Sequence, residues 1–270
     1  MFWFVLFHWS SVVNKWMCTM NDLSDSVVVI ILAAGKGTRM KSEKAKVLHH
    51  ISGRPMIMYV VETAAQISGK NIVVVVGNQA EKVQEVVSQS ADVIFALQEE
   101  QKGTGHAVMT ATPILPEYCQ NVVILSGDVP LIKAATIKQL IVRHVEQHNE
   151  ITILGVELND PYGYGRIIIN KSGDVEKIVE EFDASKTEKS INIVNSGIYC
   201  VKKSFLEISL TQIKSNNIQN EIYLTDIVGI ANKHNKKTGL MICKDHTEVL
   251  GVNTRQDLQN IEALLMGSLK

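Results

Sequence analysis

The sequence predicts an α/β fold with a doubly wound, mostly parallel sheet, extended by antiparallel strands on one side. Three observations predict it. Short runs of aliphatic residues (Val27–Ile31, Ile72–Val76, Val122–Leu125) have the length and continuity of strands buried on both faces. Segments of helical periodicity separate them, so strand and helix alternate with no run of hairpins. Beyond residue 150 the segments shorten, and turns join the strands instead of helices.

The first strand runs into Leu32-Ala33-Ala34-Gly35-Lys36-Gly37-Thr38-Arg39-Met40. A buried parallel strand ending in a glycine-rich turn aims backbone N–H groups at its guest, and phosphate is the usual one. The run lacks the Gly-x-x-x-x-Gly-Lys-Ser/Thr spacing of a P-loop. Met40 takes the place of the third glycine of the dinucleotide fingerprint and would obstruct close helix–strand packing there. The remaining reading is the loop of a nucleotidyltransferase. Ala33, Ala34 and Gly35 then leave room for base and ribose against bare backbone, while Lys36, Arg39 and Lys46 meet the triphosphate.

Pro55 opens a helix with apolar residues at Met56, Tyr59, Val60, Ala64 and Ile67, and Gly69 ends it. After Ile72–Val76, the positions Val83, Val86 and Val87 mark an amphipathic helix, and 93–97 a strand. Gly103-Thr104-Gly105 opens a helix to Ala111, and Val122–Leu125 stops at Ser126-Gly127-Asp128. A helix over 136–148 follows. Strands at 153–158, Arg166–Ile169 and Val175–Val179, the last two joined by a turn at Lys171-Ser172-Gly173-Asp174, give the next part an antiparallel texture. Helices near 204–213 and 225–233, a strand at 240–243, and a last helix carrying Leu258, Ile261, Leu264 and Leu265 complete the chain. We read one domain over 25–270, with a nucleotide side (about 25–150) and an acceptor side (about 151–270) behind an N-terminal tail, 1–24.

With 270 residues, 46% of them hydrophobic, the chain can bury a sizeable core. A formal charge of -1 argues against an extended nucleic-acid surface, so a nucleotide would bind as a small molecule in a pocket. Cys18, Cys119, Cys200 and Cys243 form no Cys-x-x-Cys pair, which fits reduced thiols in a cytoplasmic protein. His144 and His148 share a helix face but lack a third ligand nearby, and read as a solvated face. The apolar start, Met1 to Trp9, has no preceding positive charge and is too short to span a bilayer, so we expect neither export nor a membrane span. Met20 offers an alternative start ahead of the first strand.

In a doubly wound sheet, ligands gather beyond the carboxyl ends of the strands, where the cradle, Gln98 and Asp128 all lie. An acid ending a hydrophobic strand is costly unless solvated or holding a cation. We read Asp128 as a Mg2+ ligand in preference to a cap on the turn into Pro130, since Mg2+ takes one or two protein oxygens beside nucleotide phosphates. The Asn253 amide offers a second oxygen; taken alone, it reads equally as the N-cap of the last helix.

The loop Leu32–Met40 is followed by Lys46-Val47-Leu48-His49, Gln98 with Gly103-Thr104-Gly105-His106, Gly127-Asp128-Val129-Pro130-Leu131, and Asp160-Pro161-Tyr162-Gly163-Tyr164-Gly165-Arg166. Then come Ile178-Val179-Glu180, Asn195-Ser196-Gly197, Tyr223-Leu224-Thr225-Asp226 and Gly251-Val252-Asn253. From about Val27 onward, this series resembles the uridylyltransferase half of the bacterial bifunctional N-acetylglucosamine-1-phosphate uridylyltransferases. The first motif is shared by many sugar nucleotidyltransferases, whereas the Gly-Thr-Gly-His, Tyr-Gly-Arg and Gly-Val-Asn elements together are more specific.

The resemblance implies Mg2+-dependent transfer of UMP from UTP to N-acetylglucosamine-1-phosphate, releasing pyrophosphate, in cell-envelope precursor synthesis. Leu32, Ala33, Ala34, Gly35, Gln98, Gly103 and Thr104 would contact the nucleotide, with Gln98 and the Gly103 backbone reading the uracil edge. Ser126 and Gly127 would flank it. Arg39 and Lys46 would neutralise the triphosphate, Asp128 and Asn253 would hold Mg2+, and Gly165, Glu180 and Asn195 would hold the sugar. Without the resemblance, those last three read as a turn glycine, a strand-edge charge and a turn residue. Two positions depart from the family. Ala45 stands where proline is common, which we expect to loosen the loop, and Ser126 where tyrosine is frequent, which removes an aromatic contact. The family's C-terminal hexapeptide-repeat β-helix has no counterpart in this sequence, so we expect no acetyl transfer and a monomer or weak dimer. The rival expectations are another sugar-1-phosphate nucleotidyltransferase and a non-catalytic UDP-sugar-binding regulator.

Overall fold

The computed structural model describes residues 25–171 and 173–268. The tail with its alternative start and Cys18, and Ser172 in the turn, lie outside the described residues. The strands are β1 (Val27–Leu32), β2 (His50–Ile51), β3 (Arg54–Pro55), β4 (Ile72–Val76), β5 (Ile94–Leu97) and β6 (Asn121–Ser126) in the first part. β7 (Ile151–Glu157), β8 (Arg166–Ile169), β9 (Val175–Val179), β10 (Ile193–Lys202) and β11 (Thr238–Ile242) follow. The helices are α1 (Met56–Ser68), α2 (Ala80–Ser88), α3 (Thr104–Ala111), α4 (Ala134–Glu146), α5 (Lys203–Leu210), α6 (Asp226–Lys233) and α7 (Arg255–Ser268).

Among the described residues, nine strands form one mixed sheet in the order β11-β7-β10-β6-β1-β4-β5, with β8 and β9 branching from β10. β1 pairs in parallel with β4 and β6, and β4 with β5. The predicted α/β class with an antiparallel extension is therefore the fold observed. Alternate residues of β1 enter opposite cores: Val27, Val29 and Ile31 pack under α1 in a core that α4 also enters, Val28 and Ile30 under α3. That two-sided burial is why the run is continuously aliphatic. The chain leaves β1 toward β4 and β5, then returns to β6 on the other side, so the order reverses between β1 and β6. The crevice at such a reversal is where open α/β sheets take ligands.

Three features differ from the sequence reading. β10 is the longest strand, ten residues, in a stretch with no predicted element. Its Asn195-Ser196-Gly197 mimics a turn, but forms a bulge inside the strand, where pairing to β7 shifts register. β11 pairs in parallel with β7, so the acceptor side is not wholly antiparallel. The third concerns α4, which ends at Glu146, leaving His148 in a left-handed turn (φ 52).

His144 is fully buried, with Nδ1 2.9 Å from Thr152 Oγ1, so the solvated-face expectation is wrong for it. Burial, with help from the Lys202 charge, pulls its pKa down to about 4. The unfolded chain thus takes up a proton near pH 6.5 that the folded protein refuses until about pH 4. Stability is lost across that window as pH falls, by up to about 3 kcal/mol from this residue. Urea unfolding of wild type and His144→Gln at pH 7 and 4.5 is expected to show a smaller acid loss in the variant. Equal losses would refute the assignment.

Candidate active site

The cradle follows β1 directly. Ala33 N donates to Val75 O (2.9 Å), fixing the loop on β4. A Cβ at Gly35 would meet nothing within 4 Å, so that backbone is open on the ligand side. Gly37 is left-handed (φ 62), and a Cβ there would lie 2.6 Å from Lys46 Cβ. Only glycine lets the Lys46 segment close on the loop. A 3-10 turn, Thr38–Met40, follows where a dinucleotide fold would place a helix. Met40 is buried with Ile51, Met56, Val252 and Ile261, fastening the cradle to α7.

A cavity of about 570 Å³ opens beside this loop. All of Leu32, Ala33, Ala34, Gly35, Gln98, Gly103 and Thr104 line it, as do Lys36, Arg39, Lys46, Ser126 and Asp128. Gly127 is not among the residues lining it; it donates to Leu32 O (2.9 Å), and a Cβ there would lie 3.1 Å from that oxygen. Its role is the close approach of the β1 and β6 ends. At the far end Gln98 is buried, and its Nε2 donates to Gly103 O (3.2 Å) and His106 Nδ1 (2.9 Å). Gly103 (φ 110) lies under the backbone of Ile222, whose oxygen a Cβ would approach to 2.6 Å. The crossing is tied by Ile222 N to Lys102 O and Gly105 N to Ile222 O (2.7 and 2.8 Å), and Leu224 N donates to Thr104 Oγ1 (3.1 Å). This crossing brings Glu221 into the cavity, which no motif announced.

At the near end, Lys46 Nζ pairs with Asp128 Oδ2 and donates to Asn253 Oδ1 (3.1 Å). Arg39 Nη2 donates to the same Asn253 oxygen (2.8 Å). Asp128 does not cap the Pro130 turn through its side chain; its carbonyl accepts from Val252 N (2.9 Å), which carries Asn253 into place. The N-cap of α7 is Thr254, not Asn253: Asp257 N donates to Thr254 Oγ1 (3.2 Å), and Asp257 Oδ2 accepts from Thr254 N (2.8 Å) and Asn253 N (2.9 Å). The Asn253 side chain is thereby left to the site. Two oxygens already sharing one ammonium suit a hard cation that takes few protein oxygens, so the donor set fits Mg2+.

The expected looseness at Ala45 is offset. Gln79 Oε1 accepts from Ala45 N (3.2 Å) and its Nε2 donates to Glu43 O (2.5 Å), clamping the segment from the N-cap of α2. A proline there could not make the first bond.

A second cavity, about 380 Å³, adjoins the first, and Arg39, Ser126 and Asp128 line both. Gly165, Glu180, Asn195 and Asn253 line it, so the structure brings together the residues assigned to the sugar. Asn195 sits at the β10 bulge, with its Oδ1 accepting from Gly197 N (3.0 Å) and its Nδ2 donating to the Tyr199 hydroxyl (2.6 Å). Gly165 must be small because a Cβ would come within 3.2 Å of Glu180 Oε2. Glu180 is not a strand-edge charge. Burial raises its pKa, with Asp183, Asp226 and Glu221 nearby, against a hydrogen bond from Thr225 (3.1 Å). Tyr164, also lining the cavity, was visible in its motif but assigned no role; burial raises its pKa too.

A profile described as nucleotidyl transferase matches residues 28–259. The bifunctional protein GlmU of Geotalea uraniireducens is 45% identical over 250 residues, covering 91% of this chain and 54% of that one. The bifunctional protein GlmU of Desulfotalea psychrophila is 43% identical over 232 residues, 86% of this chain and 68% of its own length. The chain thus spans about half the length of the first relative. A crystal structure described as a glucose-1-phosphate thymidylyltransferase from Bacillus anthracis, in complex with a sucrose, superposes with a TM-score of 0.69 at 19% identity, over 88% of this chain and 94% of that one. That likeness is one of fold. No helix among the described residues is long and apolar enough to cross a membrane.

Proposed function

Because this chain belongs to the nucleotidyl transferase family, we propose that it transfers UMP from UTP to N-acetylglucosamine-1-phosphate and releases pyrophosphate. The observation that carries this reading is the shared wall. A nucleotide cavity and an acceptor cavity meet at Arg39, Ser126 and Asp128, where an α-phosphorus would face an incoming sugar phosphate. Relatives 43–45% identical and named GlmU support sugar-phosphate nucleotidyl transfer; the choice of sugar and base rests on the motif resemblance.

The nucleotide's base would lie between the open backbone at Ala33–Gly35 and the Gln98–Gly103 end. With Gln98 Nε2 committed to Gly103 and His106, its Oε1 is the atom offered to a pyrimidine N–H. Gly165, Glu180 and Asn195 would hold the sugar hydroxyls and N-acetyl group. A sugar phosphate is already anionic, so it attacks in line without a general base; positioning and charge stabilisation carry the rate. Arg39 and Lys46 would neutralise charge as pyrophosphate leaves. Asp128 and Asn253 would hold Mg2+, which supplies Lewis-acid stabilisation of phosphate charge when bound.

Pyrophosphate release with UTP against a panel of sugar-1-phosphates tests this. N-acetylglucosamine-1-phosphate is expected to be the best acceptor. Faster release with glucose-1-phosphate would overturn the sugar assignment, and none with any member would overturn the reaction.

A further inference from the structure

We propose that Lys46 is the resident cation of the metal-binding oxygens, held on Asp128 and Asn253 until a nucleotide phosphate draws it away and frees both for a divalent ion. The proposal rests on the reading of those two residues as the metal ligands. Three contacts carry it. Lys46 Nζ pairs with Asp128 Oδ2 and donates to Asn253 Oδ1 (3.1 Å), and Arg39 Nη2 takes the same amide oxygen (2.8 Å). An amide oxygen has two lone pairs, and both are engaged by basic side chains. No lone pair of Asn253 is left for a metal until one base departs.

The carboxylate adds a second obstacle, because a divalent ion and an ammonium cannot share Asp128 without close like-charge repulsion. Both basic side chains also line the nucleotide cavity, so a polyphosphate there offers each a fully charged partner. The lysine is built for such a transfer. Its Cβ is pinned under Gly37, while its four-carbon stem leaves the ammonium free to swing. Nucleotide and metal then favour each other: phosphate removes the competitor for the oxygens, and metal removes the competitor for the ammonium. Such coupling is reciprocal.

Removing the ammonium must therefore let metal bind without nucleotide. Mn2+ titration of the nucleotide-free protein, read by the free-ion paramagnetic resonance signal, tests this. Lys46→Met is expected to bind Mn2+ at least about tenfold more tightly than wild type. Adding Asp128→Ala to that variant is expected to abolish the gain, and circular dichroism checks that each variant is folded. Unchanged or weaker binding by folded Lys46→Met overturns the exchange while leaving the transferase reading standing. A gain that survives Asp128→Ala places the ion elsewhere and overturns both the exchange and the metal assignment.

Discussion

Asp128→Ala is expected to lower turnover at least about a hundredfold in a protein that remains folded, a loss of roughly 3 kcal/mol of transition-state stabilisation. The side chain stands on the wall between the two cavities, one-fifth exposed, with Lys46 as its ion-pair partner. It supports no core. The bond that ties the Val252 segment to this turn uses the Asp128 carbonyl, which alanine keeps. The cost should fall on kcat more than on the nucleotide KM, because the charge the site must offset grows as pyrophosphate separates. Alanine is the informative replacement. Asparagine would retain an oxygen that Lys46 and a cation could still use. Steady-state pyrophosphate release alongside a thermal melt checks the result; near-normal turnover in a folded variant would remove Asp128 from the chemistry.

Much of this site is written locally in the sequence. β1 and β6 are continuous aliphatic runs because both faces are covered, and the residues just past them, the cradle and Asp128, inherit their place from parallel topology alone. What joins the site is less visible. Lys46, Asp128 and Asn253 meet across separations of 82 and 207 residues, which no local pattern specifies; the family resemblance supplied that grouping.

The failures share a cause. Asn195-Ser196-Gly197 has turn composition, and only pairing with β7 both before and after it makes it a bulge within a ten-residue strand. Asn253 and Thr254 are both good N-caps by type, and Asp257 decides between them through a reciprocal bond to Thr254. His144 is the exception: it follows Ile137, Leu140 and Ile141 at helical spacing, so the apolar stripe itself points the ring inward, and grouping it with His148 concealed this. Glu221 reaches the nucleotide cavity because Ile222 crosses a glycine more than a hundred residues earlier; the glycine was legible, but not what it made room for.

Arg166→Met is expected to destabilise the protein by about 3 kcal/mol, through a charge left without its partner. Arg166 is 2% exposed and pairs with Glu181 Oε2 at 2.8 Å, and its guanidinium also donates to the carbonyls of Tyr164 and Lys189. Burial pushes the Glu181 carboxyl up, but hydrogen bonds from Gly163 N, Arg166 and Lys189 outweigh it and hold its pKa below the ordinary value. Methionine fills the space and removes every one of the arginine's donors. Lys189, partly exposed and 3.3 Å from Glu181 Oε1, remains to compensate, so the cost falls at the lower end of what breaking a buried pair usually gives. For a chain of this size, that is a fall in Tm of about 6–12 °C. Glu181 also holds Gly163 N at 3.2 Å, and Gly163, Tyr164 and Gly165 wall the acceptor cavity, so KM for the sugar phosphate should rise while the nucleotide KM changes little. Replacing both partners, as in Arg166→Met with Glu181→Leu, is expected to recover most of the melting temperature, because no charge is then stranded. Differential scanning calorimetry of the three proteins separates the outcomes. A single variant melting within about 2 °C of wild type, or a double variant melting below the single one, would show that the pair does not carry this loop.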